Sequence, residues 1–234
     1  MRWFSRIAVA VGLLTALALA AMAWTYPALA AAVCAGCKGM ERVSPTLVVE
    51  PVMTAETRAA LLATRARASQ RVRAFFGMPV AALDDAVLVA CATEACDRRM
   101  GGRGARATTL TAPVLVAIRL SPRGLDETIV AHELAHVAIH DLVGLERART
   151  GEVPAWFDEG MAVLVSDDTR YVRDGRATRC DEAPLPSKPL DWAVASGRDP
   201  TIYADAACRV LGWMARNGGR DGLIEALADG RDLP

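Results

Sequence analysis

Apolar residues recur at helical spacing from Thr54 to Phe76, where Ala60, Leu61, Ala68, Val72, Phe75 and Phe76 alternate with Arg65, Arg67, Arg71 and Arg73. This pattern predicts a long amphipathic helix stopped by Gly77 and Pro79, with the arginines as a solvated face. Ahead of it, Thr46 to Val52 is a short Val-rich run interrupted by Pro51, which reads as an edge strand. Ala86 to Ala92 reads as a buried strand, and the turn-rich Gly101-Gly102-Arg103-Gly104 precedes two further strands, Ala107 to Thr111 and Val114 to Leu120. The second half changes period. Helices are expected over Asp126 to Val143, Pro154 to Val165 and Thr201 to Asn217, with a short one reaching Ala228. Between them, Thr178 to Pro200 carries Pro184, Pro186, Pro189 and Pro200 and reads as irregular chain that could border a cleft. There is no internal repeat.

Composition narrows the class. With 53% hydrophobic and 23% charged residues among 234, the chain has material for one buried core. The 27 basic and 27 acidic residues balance, with no dense Lys/Arg block, so nucleic acid is not the expected partner. The opening carries Arg2 and Arg6, an uncharged run of 18 residues from Ile7 to Trp24, Pro27, and then the small-residue sequence Ala28-Leu29-Ala30. It reads either as an export signal cleaved after Ala30 or as an uncleaved membrane anchor with its basic end in the cytoplasm. The expected organisation is therefore residues 1–30 as signal or anchor and 31–234 as a single domain outside the cytoplasm. Six cysteines suit an oxidising compartment, and sequence proximity suggests Cys34 with Cys37, Cys91 with Cys96, and Cys180 with Cys208. Cys34-Ala35-Gly36-Cys37 also admits a redox reading, although it follows the leader instead of ending a strand and opening a helix.

All three histidines fall within nine residues, in Ala131-His132-Glu133-Leu134-Ala135-His136-Val137-Ala138-Ile139-His140. In the pattern His132-Glu133-x-x-His136, two imidazoles one turn apart reach a single zinc ion while the glutamate serves as general base. Asp126 can cap the start of this helix and Gly144 can end it. His140 is a further two turns from His132, about 12 Å along the axis, and Zn–N bonds of about 2 Å cannot bridge that distance. It is read as structural or as a partner of a ligand.

The third ligand must come from elsewhere, and Glu159 is the best candidate. Its neighbours at helical spacing, Ala155, Trp156, Ala162 and Val163, are all apolar, and no Lys or Arg occurs between Arg149 and Arg170. A carboxylate on such a face needs a cation. Asp158 is the rival ligand, and Gly160 would let the two helices approach closely.

His132-Glu-Leu-Ala-His136, followed 23 residues later by Glu159 within Pro-Ala-Trp-Phe-Asp-Glu-Gly, resembles the gluzincin metallopeptidases, particularly small bacterial peptidase-like domains with a Pro-x-Trp-Phe-x-Glu-Gly helix. The resemblance spans roughly residues 86–217. It implies an α+β, zincin-like fold, with helices packed on a small twisted mixed sheet whose edge strand, within Ala107 to Leu120, binds an extended peptide. It also implies that His132, His136 and Glu159 hold Zn2+ and that Glu133 is the base. Position 163, acidic in some gluzincins, is Val163, which leaves the usual carboxylate partner of a zinc histidine missing. Tyr203, near the start of the last long helix, is the candidate donor to the oxyanion, and Trp156 and Trp213 read as packing residues. The expectation is an exported zinc peptidase acting on peptides or proteins. The alternatives are a zinc-stabilised binding or assembly module of the cell envelope without turnover, and a thiol-redox protein built on Cys34 and Cys37.

Overall fold

The computed structural model describes residues 21–229 and 233. All but the last four residues of the uncharged run Ile7 to Trp24 therefore lie outside the described residues. Five strands form one mixed sheet in the order β1 (Glu41–Ser44), β2 (Leu47–Val49), β3 (Val87–Ala90), β5 (Leu115–Leu120) and β4 (Ala107–Ala112). β2, β3 and β5 run parallel, while β1 and β4 pair antiparallel at the two edges. β2 is thus an inner strand and not the edge expected from Pro51, because Pro51 falls two residues past its end. The true edge, β1, is four residues of mixed polarity, too short and too polar to stand out in the sequence.

The inner strands are buried on both faces, which explains their continuous apolar runs. Leu47, Val49, Leu88, Ala90, Ile118 and Leu120 face one side, and Val48, Val87, Val89 and Ala117 face the other. The period of two divides the molecule into two cores. On the larger side lie α2 (Ala55–Phe76), α3 (Ala82–Asp85), α5 (Glu127–Val143), α7 (Ala155–Ser166) and α10 (Gly219–Asp229), with α6 (Leu145–Thr150) following α5. The smaller side is covered by α1 (Pro27–Val33), whose Ala28, Ala31 and Ala32 are buried against β3 and β5, and by the Cys91–Cys96 segment that opens α4 (Glu94–Arg99). At the margin of this core Arg119 of β5 pairs with Asp97 of α4, both side chains 3% exposed, and a second guanidinium nitrogen donates to Thr108 Oγ1 at 2.9 Å.

α1 packs on the sheet and runs across the expected boundary at residue 31, with Ala30 at its middle. The arginines of α2 do more than face water. Arg65 donates to the carbonyls of Leu83 and Ala86 at 2.8 and 3.0 Å, and Arg67 and Arg71 both bind Glu127 in the first turn of α5.

The proline-rich stretch expected to be irregular follows directly on a two-strand ribbon and holds a helix. β6 (Val172–Arg173) pairs with β7 (Arg176–Ala177), and α8 (Pro189–Arg198) follows, with Pro189 in its first turn. A proline there starts a helix instead of breaking one, since its missing N–H has no partner to lose. Cys180–Cys208 ties the chain between β7 and α8 to α9 (Ile202–Arg216). Cys34–Cys37 is the third disulfide, so all three expected pairs are formed. No helix among the described residues is long and apolar enough to cross a membrane.

Gly160 does permit a close helix approach, but to α9, not to α5. A Cβ there would lie 2.6 Å from the Ala206 carbonyl oxygen and 2.9 Å from Val210 Cγ2. Gly160→Ala is therefore expected to lower stability by about 1–3 kcal/mol, read as a drop in Tm with α7 and α9 forced apart.

Candidate metal centre

α5 is fixed from its first turn. Asp126 caps it by accepting from Ile129 N at 3.0 Å, and eleven of its 17 residues are buried, so its register against the sheet is closely specified. His132, Glu133 and His136 leave this helix on the side met by α7 and β4. From α7, Glu159 Oε2 lies 3.1 Å from His132 Nε2 and 3.7 Å from His136 Nε2. One ligand atom from each of His132, His136 and Glu159 can be chosen so that all lie within 4.8 Å of one another. The three side chains are 12%, 10% and 20% exposed. Among the described residues no lysine or arginine is paired with Glu159. Two imidazoles and a carboxylate converging in a poorly solvated site can hold a metal ion, and the set fits such an ion better than it fits a structural ion pair.

Asp158, the rival ligand, takes a different place. Its Oδ1 lies 3.0 Å from His136 Nδ1, on the side of the ring away from the cluster, and its Oδ2 lies 3.3 Å from His140 Nε2. His136 Nδ1 and Asp158 Oδ1 are buried and have only each other, although the ring N–H is poorly aimed at that oxygen. We therefore count the contact as electrostatic and not as a well-formed hydrogen bond. Burial pushes the Asp158 carboxyl up, but His136 and His140 outweigh it and hold it well below the usual carboxylate range. Burial likewise disfavours a charged His136, yet Asp158, Glu159 and Glu133 together push it up to about 10.

The carboxylate expected and missed at position 163 is thus supplied from position 158. Val163 is fully buried with Val172 and Ala207. His140 stands behind Asp158, with its Nδ1 3.4 Å from Thr111 Oγ1.

Glu133 is 7% exposed and accepts from Thr109 Oγ1 at 2.7 Å, which ties its carboxylate to the edge strand β4. Sequence reasoning passed over Thr109 and Thr111. The available signal was their spacing of two, which puts both hydroxyls on one face of a strand. Tyr203, in the first turn of α9, has its ring centroid 6.1 Å from that of His132, stacks on Tyr171 at 5.2 Å and meets Trp192 edge-on at 5.2 Å. Burial, then the Glu159 charge, push its hydroxyl well above the ordinary range, so it keeps its proton. Trp156 and Trp213 flank Phe157 at 5.6 and 5.8 Å and pack against the main core, as expected.

The Cys34–Cys37 pair has the wrong setting for a redox centre. Cys34 caps the C-terminal end of α1, where the helix dipole disfavours a thiolate. The sequence matches no protein-family model, and neither the curated proteins nor the solved structures contain a match.

Two outcomes are expected. Glu159→Ala should lose bound metal, whereas Asp158→Asn should retain it with affinity lowered about 10–100-fold, measured by competition with a chelating dye. Because His136 is pushed up to about 10 in the metal-free protein, it carries its proton at pH 7. Metal uptake must displace that proton, so affinity should rise with pH between 7 and about 10. Calorimetric titration in buffers of different ionisation enthalpy should show a proton released from this site at pH 7, and none if His136 were already neutral.

Proposed function

We propose that the protein is an exported zinc-dependent peptidase, and the observation that carries this reading is the convergence of His132, His136 and Glu159 around one point with Glu133 beside them. Zinc is the proposed metal because two imidazoles and one carboxylate suit it, leaving a fourth position for water. Bound there, it would supply a Lewis acid that polarises the scissile carbonyl and lowers the pKa of water towards neutral.

The chain's own residues supply the rest. Glu133, held by the Thr109 hydroxyl, accepts a proton from the attacking water and passes it to the leaving amine nitrogen. The protonated Tyr203 hydroxyl donates a hydrogen bond to the developing oxyanion. Asp158 fixes the orientation of the His136 ring through its far nitrogen and is a positioning residue.

The substrate is proposed to be a peptide in extended conformation. β4 has a sheet partner on one side only, and Thr109 places that strand against Glu133. A strand added to β4 would satisfy its free edge and pass its backbone across the catalytic carboxylate. Beside it, a cavity of about 480 Å³ opens between the β4–β5 hairpin and α5, lined by Thr111, Pro113, Leu115, Val137 and His140, and has room for substrate side chains. Three disulfides support an oxidising location outside the cytoplasm.

The deciding experiment is elemental analysis of the full chain purified in detergent, with the parent and Glu133→Gln assayed on an unbiased peptide mixture. One zinc per chain with cleavage by the parent alone is the expected result. Glu133→Gln should keep its zinc and lose about 10²–10⁴-fold in rate, and Tyr203→Phe about 10²–10³-fold in kcat. Zinc without cleavage by either protein would replace this reading with the binding module, and absence of zinc would overturn it.

A further inference from the structure

We propose that the N-terminal segment is retained, and that its partner is a lipid bilayer on whose surface the domain rests through Met22, Trp24 and Tyr26. The inference is independent of the peptidase reading, because it rests on α1 and the residues just before it.

α1 belongs to the fold. Ala28 and Ala31 have no exposed surface and Ala32 is 4% exposed. Together with Leu29 they cover Val48, Val87, Val89 and Ala117 on the smaller face of the sheet. The segment is fastened at several points besides. The Pro27 ring reaches within 3.5 Å of where a Cβ on Gly101 would stand, Arg42 donates to the Ala32 carbonyl, and Lys38 Nζ donates to the Ala23 carbonyl at 2.9 Å.

Cleavage after Ala30 would cut this helix in half. It would delete Ala28 and Leu29 from the core and remove the Ala30 carbonyl that accepts from Cys34 N at 2.8 Å. It would also start the chain with an α-ammonium on Ala31, a residue packed against apolar side chains and without exposed surface in the intact fold. A domain built to be released at that bond would not use the flanking residues as the cover of its sheet.

Just ahead of α1 the apolar residues of the segment are exposed instead of buried. Met22, Trp24 and Tyr26 are 58%, 86% and 46% exposed, while the alanines that follow are buried. Large apolar and aromatic groups outside, beside a satisfied inner face, are what a membrane interface selects: Trp and Tyr rings sit at headgroup level with their polar atoms toward water. The sequence behind them agrees. Residues 7–24 form an uncharged run of 18, the length of a membrane span, and Arg2 and Arg6 are the charges on its far side. Only Thr25 and Tyr26 separate Trp24 from Pro27, so no linker is available to hold the domain away from the bilayer.

The test uses the full chain with its own leader, expressed in a bacterium that exports it. Membranes are washed with alkaline carbonate, and the chain is extracted in detergent for intact mass. The expected result is a carbonate-resistant chain that retains residues 1–30. A chain beginning at Ala31, or one released by carbonate, would overturn the proposal. The interfacial placement is read separately, by reconstituting the chain in phosphatidylcholine vesicles brominated near the headgroup end of the acyl chains. Tryptophan emission should be quenched, and Trp24→Phe should remove a measurable part of that quenching. Unchanged quenching in Trp24→Phe would show that Trp24 does not touch lipid.

Discussion

The constraint on which this structure turns is the placing of one carboxylate, Glu159, between two imidazoles in a poorly solvated interior. A glutamate on an otherwise apolar helix face cannot be buried alone. Its partners stand on a different helix, so α5 and α7 must cross at a fixed angle and height for Oε2 to come within 3.1 Å of His132 and 3.7 Å of His136. α7 is in turn held from behind by α9, against which it packs without a side chain at Gly160. The same α9 brings Tyr203 to the rim of the cluster. The site's geometry is thus set by a stack of helices, each located by the one beneath it, down to the sheet.

A second carboxylate extends the same logic. Asp158 and Glu159 are consecutive, yet they approach His136 from its two different nitrogens, with Asp158 also reaching His140. Successive residues on a helix point about 100° apart, so a ring lying across the helix face can be held by both. A carboxylate of the candidate metal cluster and the carboxylate set against the far nitrogen of His136 therefore come from one dipeptide, not from residues one turn apart.

Much of the fold could be read from the chain because its longest elements carry strong periodic signals. α2, α5, α7 and α9 lie within a few residues of the stretches their apolar spacing predicted, and β3, β4 and β5 follow their β-branched runs. The grouping of His132, His136 and Glu159 was legible for a different reason: a carboxylate without local cations must find a positive partner, and the paired histidines offered a place for one. What escaped was short or depended on contacts distant in sequence. β1 is too brief and polar to announce itself, α8 was hidden by the proline that starts it, and α1 lay within a stretch whose alanines suited an export signal equally well. The partner of His136 was sought four residues past Glu159, although it stands one residue before it. Thr109 carries no motif and is identified only by the carboxylate it touches.

The position of α1 also governs the order in which the molecule can assemble. It is made before any strand, yet the surface it covers includes Val87, Val89 and Ala117, the last almost ninety residues further along. Until β5 has joined β3, that helix has no complete site to occupy, and its loop must close over the whole strand-forming half of the chain. A helix made ahead of every described strand is thus among the last elements to be seated.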